Sequence, residues 1–205
     1  MKSRVKRASL IAALIAIFGA GVFFINESTA QQTVYKVGER GPAGGWIFYD
    51  KGKTSDGWRY LEAAPDDLKM EAKWGCLAKS IAEARNKAIG TGKSNTEAII
   101  KNCGESGLEY GVAKVAAKAA GDYQGGGKND WFLPSFEELK LMYKVLHKKG
   151  IGGFAKGSYW SSSEADESYG WGLNFKENDT SADCPFKEGY DDKVNYHLVR
   201  AVRAF

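Results

Sequence analysis

Three consecutive serines, Ser161, Ser162 and Ser163, and the chain's two histidines, His147 and His197, could together make a nucleophile and its base. A hydrolase needs such groups held in one geometry by an orienting acid. No G-x-S-x-G elbow presents a serine here, so the run reads as a polar strand edge whose hydroxyls satisfy nearby loops. His147, His197 and Cys184 could bind zinc, but their separations match no zinc motif. A helix end and a strand position are the expected homes of the histidines. Gly92-Lys93-Ser94 is like the end of a phosphate-binding loop. Lys87 stands where that pattern requires its first glycine, so a turn with a helix cap is the expectation. Nothing in these sets predicts an enzyme or a bound cofactor.

Acidic and amide residues gather in the C-terminal half: Glu164, Asp166, Glu167, then Asn178, Asp179 and Asp183, then Asp191 and Asp192. Calcium takes six to eight such oxygens, so a calcium site is one expectation for these loops. Tyr159, Trp160, Tyr169 and Trp171 lie beside them. Aromatic faces next to carboxylates and amides suit a sugar or protein surface. Tyr159, Trp160, Glu164, Asp166, Glu167, Tyr169, Asn178 and Asp179 are therefore the candidate ligand-binding residues. Alternating strand aromatics usually point inward, which makes core packing the competing reading for the rings. Arg200 and Arg203 read as structural, because an arginine in a closing strand can tie loops together through carboxylates.

The elements that must position these groups are legible by period. Gly44 to Asp50 reads as a strand and Gly57 to Ala63 as its partner across a loop. Residues 65–105 read as an inserted helical region. Leu77, Ile81, Ala84 and Ala88 share one helix face, and Gly90-Thr91-Gly92 stops that helix. Asn95 or Thr96 can cap a second helix through Ile100. A third, with Leu108, Val112, Val115 and Ala119 on one face, ends near Gly121. Ser135-Phe136-Glu137-Glu138 has the form of a capping box. It opens a helix with Leu139, Met142, Tyr143 and Leu146 on its buried stripe. From Tyr159 the period becomes two, with Trp171, Leu173 and Phe175 on one face. Val194 to Phe205 reads as a closing strand. Strands, helices and strands again, without a βαβ rhythm, mean α+β.

The N-terminus is a targeting segment. Lys2, Arg4, Lys6 and Arg7 precede an apolar run, Ala8 to Ile25, and Ser28-Thr29-Ala30 has the small residues of a cleavage site. A run of this length is also just enough to span a bilayer, so 1–30 is a signal peptide or an N-terminal membrane anchor. No cysteine follows to carry a lipid. Either way the rest of the chain is expected outside the cytoplasm, possessing a membrane contact only if residues 8–25 are retained. Without the four basic residues and Glu27 of segment 1–30, 25 basic and 24 acidic residues remain, a net +1. A nucleic-acid partner thus loses its electrostatic argument. Residues 31–40 read as a lead-in and 41–205 as one domain. In an oxidising compartment three cysteines imply one disulfide and one odd thiol. Cys76–Cys103 is the first pairing, both lying in the inserted region, and Cys103–Cys184 is the alternative.

The ordered strings GGWIFYD, GWRYLEAAP, IGTGKSNT, DWFLPSFEELKLMY, YWSSSE and VRAVRAF resemble the bacterial domain family found at the C-terminus of the collagen-like adhesin Lcl. The likeness runs over roughly residues 37–205. It implies a C-type lectin-like fold with an inserted helical region and a closing antiparallel C-terminal strand. It also implies a non-catalytic exported module binding a glycan or protein. The LPSFEEL and VRAVR strings are similar to the formylglycine-generating relatives of that fold, which implies an enzyme or enzyme accessory as the alternative. This chain lacks their paired C-terminal cysteines and has Cys184 alone. A structural envelope component is the third expectation. The chain has no collagen repeat and lacks the E-P-N or Q-P-D tripeptide of glycan-binding C-type lectins; Asn129-Asp130-Trp131 replaces their W-N-D.

Overall fold

Asp56 and Gly57 both take positive φ, 55° and 81°, the turn that lets two strands reverse within two residues. A computed structural model describes residues 33–103, 115–176 and 189–205. In it the turn joins β1 (Trp46–Ser55) to β2 (Trp58–Ala63). The first strand therefore runs past Asp50, and a tight hairpin replaces the expected loop. A register shift between Asp50 and Ser55 absorbs the extra residues.

Beyond β2 come β3 (Ala72–Lys73), α1 (Gly92–Cys103), α2 (Ala116–Gly121), α3 (Phe136–Val145), β4 (Ser158–Glu164), β5 (Tyr169–Asn174), β6 (Tyr190–Asp192), β7 (Tyr196–His197) and β8 (Val202–Ala204). The strands pair antiparallel in three small sheets, ordered β1-β2-β8, β3-β7 and β4-β5-β6. The chain is α+β, with Val34–Phe205 one compact unit. Among the described residues no helix is long and apolar enough to cross a membrane; the run Ala8 to Ile25 lies outside them, as do Leu108, Val112, Asp183 and Cys184.

The capping box forms as its spacing predicts. Glu138 N–H donates to Ser135 Oγ, and Ser135 N–H donates to Glu138 Oε2 at 2.7 Å. Leu139, Met142 and Leu146 are buried against Phe48, Leu61, Tyr159, Phe175 and Val202. A second cluster gathers Trp74, Ile81, Ile99, Trp131, Leu133 and Trp160. With Trp74 and Trp160 fully enclosed, aromatic burial is a large part of the driving force.

Four expectations are corrected. Residues 77–88 form no α-helix. Only a 3₁₀ turn at Ala82–Ala84 appears, while Cys76 and Ala78 sit at positive φ. Glu164 takes the Ile81 N–H that a helix would need. Gly92 starts α1 rather than stopping a helix, because a Cβ there would fall 2.3 Å from Glu138 Oε2. On β5 the core side carries Gly170 and Gly172, and Trp171 and Leu173 are only half-buried; a Cβ at Gly170 would strike Trp74. The closing segment is broken into β7 and β8, with Val194 and Tyr196 exposed and Val199 to Arg203 buried. Cys76 and Cys103 are disulfide-bonded, the first of the two expected pairings.

Candidate functional site: a three-loop end

Three turns meet at one end of the molecule. The β4–β5 turn lies at 165–168, the β6–β7 turn at 193–195, and the third segment, 74–80, runs from β3 past the disulfide. Backbone hydrogen bonds tie them together: Ala78 N–H to Glu167 O, Gly75 N–H to Lys193 O, and Lys193 N–H to Ser168 O. Each turn also has its own local fix. Asp166 Oδ1 accepts from Ser168 and Tyr169 N–H, and Asp192 Oδ1 accepts from Val194 N–H, the usual work of an aspartate in a turn.

Beneath the turns lies a buried ion pair. Glu164 and Lys193 both have fully buried side chains, with Nζ to Oε1 at 2.8 Å. Glu164 also accepts from Ile81 N–H at 2.8 Å and from Arg85 Nε at 3.2 Å. Lys193 Nζ donates to Lys79 O and lies 4.5 Å from the Trp74 ring centroid. One carboxylate and one ammonium thus join all three segments through charge-assisted hydrogen bonds. His197 adds a side tie, its Nε2 2.7 Å from Asp191 Oδ2. Burial lowers the His197 pKa, and the Asp191 hydrogen bond partly restores it.

The surface these ties support is apolar. Eight large hydrophobics are exposed among the described residues, and four of them, Leu77 (53%), Tyr169 (39%), Val194 (38%) and Tyr196 (48%), lie at this end. From Tyr169 an aromatic row continues along the sheet. Tyr190 is 5.4 Å from Tyr169 and 5.5 Å from Trp171, and Phe136 is 5.0 Å from Trp171. Lys87 Nζ sits 4.1 Å from the Trp171 ring centroid.

The predicted site residues divide. Asp166, Glu167 and Tyr169 belong to the three-loop end. Glu164 lies under it as a support, with no exposed carboxylate. Tyr159 and Trp160 are wholly buried, a correction to their reading as ligand contacts. Trp160 Nε1 donates to Ala72 O, and the Tyr159 hydroxyl donates to Asp67 Oδ2 at 2.7 Å. Burial first, then Asp67, pushes the Tyr159 pKa up. Asn178 and Asp179 lie outside the described residues. Leu77, Val194 and Tyr196 were missed. Leu77 falls on an apparent helix face and Val194 and Tyr196 in an apparent closing strand, so regular-looking periods hide their exposure.

The described members of the nucleophile and metal sets have structural settings, while Cys184, Asn178, Asp179 and Asp183 lie outside the described residues. Ser161, Ser162 and Ser163 are buried; Ser161 Oγ donates to Trp171 O and Ser163 Oγ to Asn86 O. His147 is stacked on Tyr143 and packed against Phe154 and Phe175. Among the described residues no group of three His, Cys, Asp or Glu side chains is placed to hold a metal ion. Arg200 and Arg203 tie loops as expected. Arg200 Nε meets Asp67 at 2.7 Å and its Nη1 donates to Ala64 and Gly152 O. Arg203 holds Asp130 by two 2.8 Å bonds and reaches Glu62. That pairing lowers the Asp130 pKa.

No family model matches the chain, and no curated protein matches it closely enough to be called related.

Proposed function

We propose that this chain is an exported, non-catalytic binding module that takes a glycan or a protein on its three-loop end. The observation that carries this reading is the gathering of Leu77, Tyr169, Val194 and Tyr196 on turns locked from below by Glu164 and Lys193. Apolar side chains exposed together on a rigid base mark interaction surfaces, and loops on a rigid scaffold commonly carry function. Export is supported by the basic and apolar N-terminal pattern and is compatible with the Cys76–Cys103 disulfide. A C-type lectin-like fold is supported by the closing strand β8 pairing with the N-terminal hairpin and by the string resemblance.

The test is saturable binding of the full chain to a broad glycan array and to extracellular proteins, with calcium and then with EDTA. We expect binding that weakens at least about tenfold when Leu77 and Tyr196 are both changed to serine. Loss in EDTA adds a metal-dependent site; indifference to EDTA assigns the affinity to the apolar surface. Absence of saturable binding to any of these ligands sinks the reading.

A further inference from the structure

The three segments that meet at this end differ in charge from the rest of the domain. Residues 71–79, 164–169 and 191–197 hold six carboxylates (Glu71, Glu164, Asp166, Glu167, Asp191, Asp192) and three lysines (Lys73, Lys79, Lys193), a net −3 with His197 neutral. Arg85 reaches in to Glu164 and offsets one of these. The remainder of the mature chain, at +1 in total, is correspondingly basic. Glu164 and Lys193 neutralise each other in the interior. Around the exposed apolar group this leaves Glu71, Asp166, Glu167 and Asp192 against Lys73, whose Nζ lies 5.3 Å from the Tyr196 ring centroid, and Lys79, so the rim carries an acidic excess.

An apolar centre with a charged rim is the anatomy of a protein-binding patch. Leu77 and Val194 carry no polar atom and no π face, so they offer a sugar little, whereas they bury well against another protein's apolar side chains. An acidic rim is repelled by an anionic bilayer. Complementary charge steers encounter and selects partners.

We infer that the occupant of the three-loop end is a polypeptide whose apolar anchor is flanked by lysine or arginine. This rests on the binding-module reading above and narrows it. Leu77, Tyr169, Val194 and Tyr196 supply the contact area, while Glu167, Asp166 and Asp192 select the basic flanks.

The probe is a displayed library of random peptides, selected against the full chain. A synthetic copy of an enriched peptide is then titrated at rising salt. Enriched sequences are expected to place Lys or Arg beside Leu or an aromatic residue. Their affinity is expected to fall about tenfold with Leu77→Ser or Tyr196→Ser and to weaken with salt. Glu167 carries its carboxylate at an exposed turn position, so Glu167→Lys tests the rim without touching a buried contact. It is expected to weaken the same peptide and flatten its salt dependence. Acidic or uncharged enriched peptides, or affinity indifferent to these three substitutions, overturn the inference. If glycans bind at Leu77 and Tyr196 instead, the binding module stands and its polypeptide partner does not. If neither peptide nor glycan binds, both readings fall.

Discussion

Replacing Glu164 by glutamine removes one charge from a site where none is solvated. The Lys193 ammonium, with a fully buried side chain, then has no anion beside it, only a neutral amide oxygen, Lys79 O at 3.2 Å and the Trp74 ring. A glutamine oxygen in place of Oε1 can still accept from both Lys193 and the Ile81 N–H, but its amide nitrogen then stands where Oε2 was and faces the Arg85 donor. Breaking one side of a buried pair in this way costs about 3–5 kcal/mol, a large part of a domain's ordinary stability. At a slope of about 2 kcal/mol per molar urea the midpoint moves by roughly 2 M. Urea unfolding followed by tryptophan fluorescence reads the change, and Trp74 lies against Lys193 as a local reporter. Arg85→Ala is the control on the same carboxylate. Its side chain is half exposed, so its removal costs about 1 kcal/mol or less. Adding Lys193→Met to Glu164→Gln removes the stranded charge and is expected to recover part of the loss. A Glu164→Gln cost below about 1 kcal/mol, with an unchanged slope, refutes the claim that this pair locks the three turns.

Two further outcomes follow from the disulfide and from a buried carboxyl. Changing both Cys76 and Cys103 to serine opens a loop with a sequence separation of 27 and is expected to cost about 3–4 kcal/mol in the chain-entropy account, read as a urea midpoint shift that reductant reproduces in the parent protein. Burial pushes the Glu138 carboxyl up to about 7, against the N–H groups of Ser135, Gly90 and Gly92, which pull it down. A folded pKa above the unfolded one gives stability that is complete below about pH 4.5 and lost as pH rises through about 7. The parent is therefore expected to lose up to about 3 kcal/mol over that window. Glu138→Gln is expected to flatten this slope; an equal slope in both proteins removes Glu138 as its source.

The α3 capping box was legible because it rests on short-range chemistry, the α+β class because the order of elements carries it, and the first disulfide pairing because both cysteines lie in one inserted region. Ser135 and Glu138 are three residues apart, and their reciprocal bonds need nothing from the rest of the chain. The failures came where distant groups intervened. Residues 77–88 carry a good helical period, but Glu164, 83 positions beyond Ile81, takes its N–H. The Asp56-Gly57 pair carries a type I′ turn signal, but the polar run Lys51 to Ser55 hides the strand that leads into it. Tyr159 and Trp160 are neighbours on β4 and enter opposite clusters, so both faces of that strand are buried, and a two-residue period does not reveal a strand covered on both sides. The exposed set at Leu77, Val194 and Tyr196 was invisible because it depends on three turns meeting.

The division of labour among the acidic residues explains why the loops could be rigid at all. Few strands are long, so many loop N–H groups lack a ladder partner, and an unpaired buried donor is costly. Buried or half-buried carboxylates take that place. Glu62 accepts from Ala43 and Gly45, Glu138 from Gly90, Glu164 from Ile81, and Asp67 from Ala155. Three of the four also carry a cation: Arg203 on Glu62, Lys193 and Arg85 on Glu164, and Arg200 on Asp67. A carboxylate accepts several donors at once, so each can join segments that no short strand could bridge. The same residue type therefore does two different jobs in this chain. Acids enclosed with backbone donors hold the loops together, and acids left at the rim of the three-loop end, such as Glu167, are the ones proposed to select a partner.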